Sequence, residues 1–180
     1  VPPEVRAWLQ QKELLYQQGK FADSIPLLNH LAALYYNHGR YAEAEQVYKR
    51  LLEILEKTLG PEHRDTATSL NNLANTYEGQ GRYAEAEQLY DLTLAIREKT
   101  LGPEHPDTAT SLNNLAALYQ GQGRYAEAET LFKRSLAIRE KALGVEHSDT
   151  ATSLNYLAFL YGYQGRYAEA ETLYKRSLAI

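Results

Sequence analysis

The stretch "TATSLNNLA" (Thr108–Ala116) decides the fold. Leu112, Leu115, Ala116 and, just beyond it, Tyr119 recur at i, i+3, i+4 and i+7, the spacing of one apolar helix face. Thr, Ser and two adjacent Asn nevertheless cost roughly 0.5–0.7 kcal/mol each relative to Ala in a helix interior. The stretch returns as "TATSLNNLA" at 66–74 and "TATSLNYLA" at 150–158, so the unfavourable choice is made three times. A repeated sacrifice of helix propensity asks for a compensating role.

The recurrence extends outward. "GRYAEAE" stands at 39–45, 81–87, 123–129 and 165–171, and "LGPEH" at 59–63 and 101–105 becomes "LGVEH" at 143–147, always 42 residues on. Each period reads as two helices. Gly123 breaks the first, and Tyr125, Ala128, Leu131, Phe132, Ser135, Leu136 and Ile138 form a second stripe. Gly102 and Pro103 end the preceding helix, with Asp107 expected as the next N-cap. Antiparallel pairs are predicted at 66–80/83–100, 108–122/125–142 and 150–164/167–180. Neither helix of a pair has an apolar face able to stand alone. Stacking buries one continuous core, so the expected fold is all-α, a right-handed superhelical α-solenoid of antiparallel helix pairs. The expected divisions are an N-terminal capping helix within 1–22, units at 23–64, 65–106 and 107–148, and a shortened unit at 149–180.

Composition narrows the function. The chain of 180 residues carries 19 Lys and Arg against 23 Asp and Glu, a net charge of −4. Nucleic acid and anionic membranes demand clustered cations, so neither is an expected partner. No apolar run approaches the roughly 18–20 residues that span a bilayer. With no cysteine there is no disulfide framework or thiolate chemistry, which suits a reducing, cytoplasmic setting. His63, His105 and His147 recur in one turn, but stacked helices lie roughly 8–10 Å apart, too far for three to share a metal. They read as turn residues, and no metal or cofactor is expected. Arg40, Arg82, Arg124 and Arg166 form a row at the inter-helix turns, expected to pair with the repeated Glu residues beside them. No Ser/His/Asp arrangement appears once rather than in every repeat, so no enzyme is expected.

Leu115, Ala116, Tyr119, Gly123, Tyr125, Ala128 and Phe132 stand where the tetratricopeptide repeat places its signature residues. That repeat is usually about 34 residues long; this one is 42. The length, with "LNNLA", "LAIREKTLG", "HPDTA" and the opening "VPPEVRA" at 1–7, resembles the tetratricopeptide domain of kinesin light chains. The uniformity of the repeats suits a bacterial signalling array, cyanobacterial in type, or a consensus-engineered module equally well.

The resemblance implies that the first helix of each pair lines a concave surface that binds extended peptide segments of partner proteins, cargo adaptors among them. On that face lie Asn29 in the first unit, Asn71, Asn72 and Asn75 in the second, and Asn113, Asn114 and Gln120 in the third. The fourth supplies Asn155, Tyr156, Phe159 and Tyr163. An amide offers donors and an acceptor, so it can hold a peptide backbone whatever its side chains. The competing reading makes the Asn residues a ladder that fixes one repeat on the next. The final helix presents Tyr174, Leu178 and Ile180 with no following unit to cover them, which predicts end-to-end self-association.

Overall fold

The helices begin and end on devices written into the repeat. A computed structural model describes residues 3–180, which form helices and turns. The helices are α1 (Pro3–Gln17), α2 (Ile25–Asn37), α3 (Tyr41–Thr58), α4 (Arg64–Gly79), α5 (Tyr83–Leu101), α6 (Pro106–Gly121), α7 (Tyr125–Leu143), α8 (Ser148–Tyr163) and α9 (Tyr167–Leu178). A 3-10 turn at Ala22–Ser24 precedes α2. Val1 and Pro2, the start of the "VPPEVRA" stretch, lie outside the described residues.

The N-cap is a histidine, not the expected aspartate. His63, His105 and His147 adopt extended backbone, and each ring Nδ1 accepts the N–H of Asp65, Asp107 or Asp149 two residues on, at 3.0–3.1 Å. The aspartates thus fall in the first turn, where a negative charge complements the helix dipole. This cap starts α4, α6 and α8 two residues before the predicted positions. The hydroxyls of buried Thr66, Thr108 and Thr150 then donate to the carbonyls of Gly60, Gly102 and Gly144 at 2.8 Å, fastening each helix start to the turn before it. Those glycines hold φ of +96° to +100°, a region that side chains disfavour.

The chain divides into two compact units, one ending at Thr93 and one starting at Leu94. In the first, α1 packs on α2, and α3 packs on both α2 and α4. Within 1–22, where a capping helix is expected, α1 thus lies against α2. α2 is shorter than α4, and Pro26 sits in its first turn, where a missing N–H costs nothing. Leu28, Leu31, Ala44, Tyr48, Leu51 and Leu55 fill the core between these helices.

The second unit packs α6 on α7, α7 on α8 and α8 on α9. Ala116 and Ala128 are fully buried and let α6 and α7 approach, with Phe132, Leu136, Leu154, Leu157 and Leu160 around them. Tyr119 and Tyr125, partly buried, pack against this cluster. A polar seam runs through this apolar core. Ser153 Oγ accepts from the Asn113 amide at 3.2 Å and from Arg139 Nη1 at 3.0 Å, and lies 3.3 Å from Ser135 Oγ. Arg139 also donates to the Asp149 carbonyl at 2.9 Å and the Thr110 hydroxyl at 3.0 Å.

The arginine row pairs with the glutamates as expected. Arg40, Arg82, Arg124 and Arg166 bind Glu43, Glu85, Glu127 and Glu169 on the next turn of the same helix. Each guanidinium also lies 3.7–4.7 Å from the ring centre of a tyrosine: Tyr35, Tyr77, Tyr119 or Tyr161. Arg82 reaches Glu45 at 2.8 Å, and Arg166 reaches Glu129 at the same distance, joining one second helix to the next pair. At Glu45 burial alone would raise the carboxyl, but hydrogen bonds from Lys49, Gln80 and Arg82 outweigh it and pull it down to about 2. Because the folded value lies below the unfolded one, the stabilisation is complete above the unfolded value. It is lost as pH falls toward the folded value. Urea unfolding across that window should show stability declining on acidification, and Glu45→Gln should flatten the decline. An unchanged slope in the variant would place the acid sensitivity elsewhere.

Candidate functional site

On α8, Thr152, Tyr156, Phe159 and Tyr163 follow at i, i+4, i+7 and i+11, so they share one face. That face is turned outward: Tyr156, Phe159 and Tyr163 are 39%, 51% and 60% exposed. Their geometry is nonetheless fixed from beneath. Tyr156 stacks on fully buried Phe132 with ring centres 5.5 Å apart and planes 9° from parallel. Tyr163 stacks on Tyr125 at 6.5 Å and meets Phe159 edge-on at 4.9 Å. Aromatic pairs in such arrangements gain roughly 0.5–1.5 kcal/mol beyond area burial, which holds these rings in place while exposed.

Two clefts share this ridge. One of about 360 Å³ lies between α6 and α8, lined by Ala117, Gln120, Gly121 and Tyr125 together with Tyr156, Phe159 and Tyr163. The other, about 310 Å³, lies on the α9 side and is lined by Thr152, Asn155, Tyr156, Phe159 and Tyr174. Neither lining contains Lys, Arg, Asp or Glu. The walls are aromatic, and the amides of Gln120 and Asn155 supply donors and acceptors. Such a surface can hold apolar side chains and bond a peptide backbone. It offers no nucleophile and base pair for covalent chemistry.

The structure separates the predicted site residues. Gln120, Asn155, Tyr156, Phe159 and Tyr163 gather at these two clefts. Asn71 and Asn113 are buried rather than outward-facing, and the Asn113 amide donates to Ser153 on α8. Asn72 and Asn114 are half-buried and line neither cleft. Asn75 accepts a hydrogen bond from the Tyr90 hydroxyl, which also stands 2.9 Å from the Glu78 carboxylate. Burial raises the Glu78 pKa, and the bond from Tyr90 opposes the shift. Asn29 belongs to a third cleft, in the first unit.

Tyr125 was read as core alone, and its role as a cleft wall was missed. The available signal was position 121: the repeat has Gly79 and Gly121 where the last unit has Tyr163. A Cβ at Gly79 would stand 2.7 Å from the Tyr41 ring, so there the aromatic lies flat on the helix. In the last unit Tyr163 brings its own ring to this place and stacks on Tyr125.

These features define a repeat array of helix pairs carrying an open aromatic surface. The family model for the tetratricopeptide repeat matches residues 23–99, 65–141 and 107–180, and the chain belongs to that family, whose members serve as protein-interaction scaffolds. Among solved structures it is similar to BtubC (BKLC) from P. vanneervenii: 25% identity over 97% of this chain and 69% of that one, with a TM-score of 0.77. It is also similar to a kinesin light chain protein of Podosopora anserina with nearly identical TPR-like repeats. There the identity is 29% over 98% and 94% of the two chains, with a TM-score of 0.69. RapI in its apo form shares the fold, with 17% identity over 96% of this chain and 46% of RapI, and a TM-score of 0.79. No curated protein sequence matches the chain. The array is thus an all-α tetratricopeptide solenoid resembling that of kinesin light chains. No helix among the described residues is long and apolar enough to cross a membrane.

Proposed function

We propose that the chain is a non-catalytic, cytoplasmic scaffold whose second unit binds an extended peptide segment of a partner protein, of the kind a cargo adaptor presents. The observation that carries this reading is the pair of uncharged clefts sharing the Tyr156–Phe159 ridge. Alternate side chains of an extended segment point the same way, about 7 Å apart. Two bulky apolar residues at i and i+2 suit clefts that share one wall, and Gln120 and Asn155 are placed to bond the backbone. The ligand is therefore apolar-anchored and its binding depends little on salt, because screening acts on charged partners.

A fluorescein-labelled peptide with leucine at alternate positions in a serine background provides the test. Its affinity in a fluorescence-anisotropy titration should change less than about 2-fold between low and high salt. Replacing both leucines by lysine should abolish binding. Tight, salt-sensitive binding of the lysine peptide would overturn the assignment. Self-association is proposed at α9, where Tyr174 and Leu178 are 39% and 87% exposed although their α7 equivalents, Phe132 and Leu136, are buried. Because Tyr174 also lines the second cleft, saturating peptide should shift any dimer seen in sedimentation toward monomer.

A further inference from the structure

Helix α3 departs from its counterparts α5 and α7 at one buried position. Arg97 and Arg139, 42 residues apart, have Leu55 as their counterpart. Both arginines are buried, and their Nη1 atoms make matching contacts. Arg97 Nη1 donates to the Ser111 hydroxyl at 2.9 Å and the Asp107 carbonyl at 3.0 Å; Arg139 Nη1 donates to Ser153 at 3.0 Å and the Asp149 carbonyl at 2.9 Å. The corresponding serine of the first unit, Ser69, is 2% exposed, and its hydroxyl has no hydrogen-bond partner. A cleft of about 230 Å³ opens at this place. Leu51 and Leu55 form an apolar floor; Ser69, Thr68, Asp65 and Asn29 supply oxygens, and no cation lines it.

We propose that this cleft is a binding site for the guanidinium of an arginine side chain on a partner protein. The repeat itself shows the chemistry, since in two other positions the same serine and the same helix-start carbonyl receive an arginine. Leu55 removes the chain's own guanidinium and leaves the acceptors. The Asp65 carboxylate adds a negative charge at the rim, and the Asn29 amide oxygen adds a further acceptor. The leucine floor suits the methylene stem of an arginine, which packs on apolar surface while its head makes hydrogen bonds. A lysine ammonium lacks the planar fork that lets one guanidinium reach several acceptors at once, so arginine is the preferred residue. The site stands on residues of the first unit alone and is independent of the aromatic clefts.

The probe is N-acetyl-arginine methylamide, titrated into the 15N-labelled chain while the amide resonances of Asn29, Thr68 and Ser69 are followed. These should shift saturably in the millimolar range. The neutral citrulline analogue should bind about 10-fold more weakly, because it lacks the charge-assisted bonds. Leu55→Arg should abolish the response by placing the chain's own guanidinium in the cleft. Ser69→Ala removes only an unpartnered hydroxyl and should weaken the response several-fold while leaving the circular dichroism melt unchanged, so it serves if Leu55→Arg folds poorly. Equal shifts from N-acetyl-leucine methylamide, or an arginine response unaltered by Ser69→Ala, would overturn the proposal.

Discussion

Phe132→Ala should lower the unfolding free energy by about 3–5 kcal/mol, the usual cost of emptying a phenylalanine site in a packed core. Phe132 is fully buried, shares a core cluster with Leu154 and Leu157 of α8, and stacks on the Tyr156 ring of the same helix. Each repeat rests on its neighbours, so the loss at this junction should propagate through the second unit. Urea unfolding followed by circular dichroism measures it. The variant should also lose peptide affinity even where it remains folded, because Tyr156 no longer has a ring beneath it. A loss below about 1 kcal/mol is outside the range for a buried phenylalanine and would show that Phe132 does not join α7 to α8.

Ser153→Ala carries the second large effect. The hydroxyl removed receives the Asn113 amide and Arg139 Nη1, and it neighbours Ser135. Leaving a buried donor unsatisfied costs about 1–3 kcal/mol, more for a charged group. Two stranded donors therefore predict a loss of about 2–4 kcal/mol. The same substitution two registers earlier, at Ser69, is the control. Ser69 holds the equivalent place, but its hydroxyl has no partner, so Ser69→Ala should leave stability unchanged or slightly raised. Equal losses at Ser69 and Ser153 would mean that the polar seam does not hold α7 and α8 together. Chemical denaturation of the two variants side by side makes the comparison.

The helix pairs were legible because a 42-residue period with glycines at fixed offsets leaves few alternatives. The unfavourable residues of "TATSLNNLA" were harder to read. Thr108 fastens the helix to Gly102, Ser111 receives Arg97, and Asn113 holds Ser153. These roles require knowing which residues of the next helix lie opposite, which periodicity within one helix does not reveal. Asn71 and Asn113 were placed on the outer face because they flank the apolar stripe, and the buried interface proved wider than that stripe. The aromatic ridge was visible as Tyr156, Phe159 and Tyr163. Its division into two clefts depends on Tyr125 and Tyr174, contributed by the helices on either side. The histidine caps were missed because Asp is the commoner cap and the Nδ1 contact is a matter of backbone geometry.

The central claim is that Thr108, Ser111 and Asn113 of the motif on α6 work inward while the aromatics of α8 work outward. Phe159→Ala tests it most directly, since Phe159 is exposed and lines both clefts. Isothermal titration of the alternate-leucine peptide should show affinity reduced about 10-fold or more, the effect of losing a binding hot spot, with the melting temperature unchanged. Under the same conditions Asn72→Ala/Asn114→Ala should bind nearly as the parent does. Normal binding by Phe159→Ala, together with binding lost in the asparagine double variant, would contradict the account.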